Sequence, residues 1–220
     1  MTLLKEIGVL VWKDLILEWK QKHAFNGLLL YVASTVFVCY LSFKEVVSVP
    51  TWNALFWIIM LFAAVNAASR SFQSERKGLL LYYYTIASPQ AVILSRMIYN
   101  SLLLFVIALI GYLIYSVFIG NLVQDQQSFF LGLLIGSFGL ASVLTLVAAI
   151  AARSSGNLTL MAILGFPVVI PLLLTLIRFS KNAADGIDLS VNITYAFGVM
   201  AINVVAIGLA WILFPYLWKE

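Results

Sequence analysis

Six apolar runs divide this chain, and each break between them carries charge, glycine or proline. The runs cover about 24–43, 51–69, 88–119, 128–152, 157–177 and 191–218. A helix needs about 20 apolar residues to cross the hydrocarbon core of a bilayer. Inside that core no water serves the backbone, so a spanning segment must satisfy its own N–H and C=O groups, and a helix does this within one segment. The expected fold is an all-α membrane protein, with six transmembrane helices in a single domain over residues 1–220.

Charge is too sparse for any other solvent. Only 10% of the residues are charged and 63% are hydrophobic, against about 25% and 45–50% in soluble domains. A soluble enzyme and a nucleic-acid binder are both excluded. The net charge of +4 forms no basic patch and falls in the breaks between runs, as membrane topology requires. Lys5, Lys13, Lys20, Lys22, Arg70, Arg76, Lys77, Arg96, Arg153 and Lys219 fall on the side of the amino terminus. Lys44, Arg178 and Lys181 fall on the other, so ten basic residues face three. The excess of Lys and Arg marks the cytoplasm, which places both termini there.

Residues 1–23 interleave charge with bulk and lack the short apolar core of a signal peptide. Leu4, Ile7, Val11, Leu15 and Trp19 recur at helical spacing. That pattern predicts an amphipathic helix in the membrane interface. Ser88 and Pro89 fit an N-cap and first helical position for the third span.

Much chemistry is absent from the sequence. No G-x-x-x-x-G-K-[ST] loop is present to hold nucleotide phosphates. One histidine, His23, and one cysteine, Cys39, exclude a multi-histidine or multi-thiolate metal site within one chain. No catalytic residue is identified. Charges avoid the deep interior of the runs, which disfavours a proton path. Asn66, Asn100, Thr145 and Asn203 are the most polar interior residues, suited to hydrogen bonds between helices.

Three features stand out. The stretch over 70–90 combines Arg70, Glu75, Arg76, Lys77 and Gly78 with an aromatic run from Leu79 to Tyr84. It is long for a connection in a compact bundle and suits a short amphipathic helix offered to a soluble partner. Pro167 and Pro171 lie inside the fifth run. Each removes a helical donor and crowds a carbonyl one turn back, so a kink shielded by neighbouring helices is expected. Gly132, Gly136 and Gly139 in the fourth run make a close-packing face.

With these features the chain resembles the membrane subunits of type-2 ABC exporters. More narrowly, it resembles the haem exporter permease family of cytochrome c maturation protein B, CcmB. Arg70-Ser71-Phe72 with Glu75 and Gly78, Ser88-Pro89, the 153–156 loop and the Phe166 to Leu173 proline stretch carry the resemblance. The resemblance implies a permease in the bacterial inner membrane, with ATP hydrolysed by a separate cytoplasmic subunit, CcmA. It also implies CcmC, CcmD and the haem chaperone CcmE as partners, haem as cargo, and two permease copies per complex. Arg70, Glu75, Arg76, Lys77 and Gly78 would then grip the ATPase, while Pro167 and Pro171 yield in response. Two other readings stay open from the residues alone. One is an exporter permease for a lipid, drug or polysaccharide; the other is a membrane scaffold with no transport cycle.

Overall fold

The computed structural model describes residues 2–43, 47–73, 87–153 and 158–219. These form α1 (Leu3–Gln21), α2 (His23–Ser42), α3 (Val49–Gln73), α4 (Pro89–Ile119), α5 (Gln126–Arg153), α6 (Leu158–Ala184) and α7 (Leu189–Lys219), with no strand among the described residues. Helices α2 to α7 are each long and apolar enough to cross a membrane. The six expected runs are these six helices. Their main departure is α6, which continues to Ala184 and carries Arg178 and Lys181 on its last turns rather than in a loop. Lys181 bonds Asp185 at 2.6 Å just past the helix end.

The centre of the bundle is α5, which touches α3, α4, α6 and α7. Over its most apolar stretch 78% of residues are buried, against 17% for α2 and 22% for α7. Small residues allow this close approach. A Cβ on Gly132 would stand 3.0 Å from the Phe179 ring, and one on Gly136 would stand 2.5 Å from Trp57. One on Gly139 would meet Asn203 at 2.9 Å and Leu172 at 3.0 Å. The glycine face is therefore filled by α3, α6 and α7 of the same chain.

Buried amides and hydroxyls tie the spans together. The Asn53 amide donates to the Ile177 carbonyl at 2.8 Å, and Ser180 Oγ lies 2.8 Å from Asn53 Oδ1. The Trp57 indole donates to Ser180 Oγ at 2.6 Å, so α3 and α6 share one buried polar cluster. Asn100 donates to Thr145 at 2.9 Å, joining α4 to α5. Asn203 reaches the Ile135 carbonyl at 3.4 Å, joining α7 to α5. Asn66 differs from this expectation: it bonds back to Phe62 O of its own helix, on an exposed face. Beside the polar cluster, Trp52, Phe56, Tyr112, Tyr115 and Phe129 stack as an aromatic plug, with Trp52 and Tyr115 ring centroids 4.9 Å apart.

Helix α1 ends at Lys22, whose left-handed backbone (φ 53°) separates it from α2. It runs beside the first three turns of α4, in the same direction. Glu6 meets Ser88, and Glu18 meets Tyr99. The contacts advance by nearly equal steps, so the two helices lie parallel over about 18 Å at 1.5 Å per residue. This corrects the expectation of one lipid-facing stripe. Ile7 is buried and Leu10 packs against a cluster that includes Val92, Ile93 and Met97 of α4. Leu4, Trp12 and Trp19 point outward at 66–80% exposure. The apolar arc is wide enough to serve protein along one edge and lipid along the other.

The packing of α5 sets a specific expectation. Gly136→Ala should cost about 1–3 kcal/mol through overpacking against the Trp57 ring, whereas Gly208→Ala, with nothing within 4 Å of its Cβ, should leave stability near wild type. Thermal unfolding of the two variants in one detergent checks this; equal midpoints would refute the close approach at Gly136.

Candidate transmission site at the α1 end

Helix termini leave backbone groups without intrahelical partners, and at the end of the bundle where α1 lies, charged side chains from neighbouring helices supply them. Arg96, on the second turn of α4, is only 6% exposed. Its Nη1 donates to the Ser71 carbonyl at 2.6 Å, within the last turn of α3. The guanidinium also lies 4.3 Å from the centroid of the Phe72 ring. A cation suits the negative end of a helix dipole, and the ring face adds a cation–π contact. Arg96 thus caps α3 from α4.

Glu6 does the converse for α4. Its Oε2 accepts the Ser88 hydroxyl at 2.7 Å and the Ser88 N–H at 3.1 Å. Ser88 is the N-cap of α4, in extended conformation, with no cap bond from its own side chain. The Ser88 hydroxyl, followed by its N–H, holds the Glu6 carboxyl below its usual range, so the anion is the form that binds. Twelve residues on, Glu18 Oε1 accepts the Phe25 N–H at 2.7 Å, a first-turn donor of α2, and Oε2 accepts the Tyr99 hydroxyl at 3.2 Å. One amphipathic helix therefore seats the starts of two spans.

Arg70 lies on the exposed side of α3 and turns toward α2. Its Nη1 is 3.3 Å from the His23 carbonyl, and a Cβ on Gly27 would fall 2.6 Å from that same nitrogen. It also closes one end of a groove of about 360 Å³ between α3 and α6. Phe62, Asn66 and Ser69 line one wall, Met161 and Phe166 the other, and Leu144 of α5 lies between them. Glu75, Arg76, Lys77 and Gly78 lie outside the described residues. Of the expected coupling residues the structure places Arg70 alone, against α2.

One part of the proline expectation, shielding by neighbouring helices, is not met within the chain. Helix α6 passes through Pro167 and Pro171 without leaving helical geometry, and both residues are exposed rather than shielded within the chain. Their flanks, Ile163, Phe166 and Ile170, are 63%, 61% and 47% exposed. The prolines take the helical donor from the Ile163 and Pro167 carbonyls, and both of these residues are exposed. The structure brings Arg70 and the start of the proline stretch to the same groove, while Gly132, Gly136 and Gly139 lie elsewhere, inside the bundle.

The sequence reading missed Glu6, Glu18 and Arg96 as structural contacts and took them only as interfacial or topological charges. A signal existed. Glu18 sits within about 20° of the helical phase of the buried Ile7, and Arg96 falls seven residues inside a helix begun by Ser88-Pro89.

Comparison with known proteins bears on the whole chain. The family model described as CcmB protein matches residues 6–214. No curated protein and no solved structure matches the chain. A match from Glu6 to Phe214, over six apolar helices of this order, places the chain in the CcmB family, a membrane component of the haem export system for cytochrome c maturation.

Proposed function

We propose that the chain transmits ATP-driven motion from a separate cytoplasmic ATPase, CcmA, through the segment between α3 and α4. The observation that carries this reading is the mounting of that segment. It leaves α3 after Gln73, in a last turn that Arg96 holds at Ser71 and Phe72, and rejoins the bundle near Ser88, which Glu6 holds. A connection held at both ends delivers a push to the spans instead of absorbing it. The chain has no phosphate-binding loop of its own, which fits a subunit that borrows its energy.

Both termini lie in the cytoplasm on this reading, and the membrane is the bacterial inner membrane, as the basic-residue asymmetry and family membership support. Two copies pair with two ATPase subunits, together with CcmC, CcmD and the haem chaperone CcmE. The outward face of α3 and α6 supports pairing. Asn66 and the carbonyls freed by Pro167 and Pro171 are polar groups on an exposed surface, where lipid offers no hydrogen bond. Haem is the cargo of the system, but we assign this chain transmission rather than haem ligation. Its one histidine, His23, opens α2 with its carbonyl held by Arg70.

Glu75→Lys and Gly78→Trp, each in the full complex, should abolish retention of the ATPase during purification and bring cytochrome c yield to background. Wild-type retention together with wild-type yield in both variants would overturn the coupling role. Counting permease copies, ATPase copies and bound haem in the purified assembly tests the pairing; a single permease copy per complex would remove it.

A further inference from the structure

Glu6 and Arg96 make contacts that span packing alone does not require. Each reaches across to another helix, and each grips the residue where the α3–α4 connection meets the bundle. The two grips share one packed cluster. Phe72 before the connection, Ala87 after it and Leu10 of α1 all pack against one cluster that includes Val92, Ile93 and Met97 of α4. Leu146 and Ala149 of α5, with Ala210 and Phe214 of α7, complete that cluster. Phe72 packs on this cluster and on the main core alike, so this end of the molecule has a small core of its own, joined to the rest at the end of α3.

We propose that Glu6 and Arg96 are positioning residues forming a mount that makes α1, the first turns of α4 and the end of α3 move as one body. The proposal rests on the coupling reading and adds to it: α1 is a working part of the transmission, not only a membrane anchor. The geometry gives each residue a distinct task. Arg96 fixes the departing end through a carbonyl and a ring, a pair of contacts that a planar guanidinium makes and an ammonium does not reproduce. Glu6 fixes the returning end by accepting both Ser88 donors with one oxygen. Close-packed cores transmit displacement with little compliance, so a push entering between the two grips reaches α5 and α7 through the small core. If the Glu6 tie is cut, α4 keeps its place and α1 stays beside it through Leu10 and the Glu18–Tyr99 contact, but the start of α1 no longer follows Ser88.

Ser88→Asp separates this role from simple helix capping. Aspartate caps α4 from its own side chain but sets a second carboxylate against Glu6, so the helix start is preserved and the tie to α1 is lost. Glu6→Gln is the conservative counterpart, since its amide oxygen still accepts from Ser88. In the full complex with its ATPase, three quantities are read: chain in the membrane, ATPase retained per chain, and cytochrome c matured per ATP hydrolysed. Ser88→Asp should leave the first two at wild-type level and lower the third by about fivefold or more, the usual lower range of coupling between sites. Glu6→Gln should stay near wild type, and Arg96→Lys should fall between the two.

Full maturation per ATP in Ser88→Asp would overturn the proposal. So would a loss in which all three quantities fall in parallel for Ser88→Asp and Glu6→Ala, because that outcome assigns the contacts to folding alone. Failure of the wild-type chain to retain any ATPase would instead remove the coupling reading on which the mount depends.

Discussion

In a bilayer, helix ends are harder to satisfy than helix middles, because their last N–H and C=O groups lack intrahelical partners and meet little water. This chain meets that constraint largely by capping in trans. Glu18 of α1 serves the start of α2, and Glu6 of α1 serves the start of α4. Arg96 of α4 serves the end of α3, and the Trp52 indole of α3 serves the Gly120 carbonyl beyond α4 at 2.9 Å. At the start of α5, by contrast, Asp125 caps its own helix by accepting the Ser128 N–H at 3.1 Å. Each trans cap satisfies a terminus and at the same time fixes the position of one helix against another. A backbone requirement thereby becomes tertiary structure.

That dual use explains which parts of the structure the sequence disclosed. The spans were legible because a hydrophobic run of sufficient length has one stable form in lipid, and α4 begins at Pro89 and ends at Ile119 as the Ser-Pro start and glycine stop imply. Boundaries failed where charge was equated with loop. Arg178 and Lys181 continue α6, since a helix does not end where the hydrocarbon ends. The α1 pattern was read as one stripe, although Ile7 turns inward and Trp12 outward. Periodicity reports that a face is apolar and does not say whether protein or lipid covers it. The partners of Glu6 and Arg96 were less legible for a related reason: they lie 82 and about 25 positions away and include backbone atoms, which leave no trace in residue type.

The candidate site was less legible than the fold. Arg70 was grouped with Glu75 to Gly78 because they adjoin in sequence, yet its guanidinium lies against Gly27 and the His23 carbonyl of α2. Adjacency along a helix says little about direction, because successive side chains point about 100° apart. The residues that hold the ends of the α3–α4 connection come instead from α1 and from α4, one before it in the chain and one after.

Stiffness is distributed unevenly across the bundle, and the distribution bears on which helix yields. Helix α5 is buried along most of its length and filled at its glycines by rings and branched chains, so displacing it means repacking α3, α6 and α7 together. Helix α6 is different. It is 28% buried over its most apolar stretch, and two prolines have removed consecutive-turn hydrogen bonds from its middle. Its polar ties to α3 are the Asn53, Trp57 and Ser180 cluster at the end remote from α1 and, near Arg70, a weaker contact from Ser69 Oγ to Met161 Sδ at 3.2 Å. Between that cluster and Arg70 the two helices are parted by the groove. A displacement of α3 at the Arg96 grip therefore acts on a helix pair held by a buried polar cluster at one end and by a single Ser69–Met161 contact at the other. On the coupling reading proposed above, the least costly response is for the pair to part further along the groove, with the proline turns of α6 absorbing the bend.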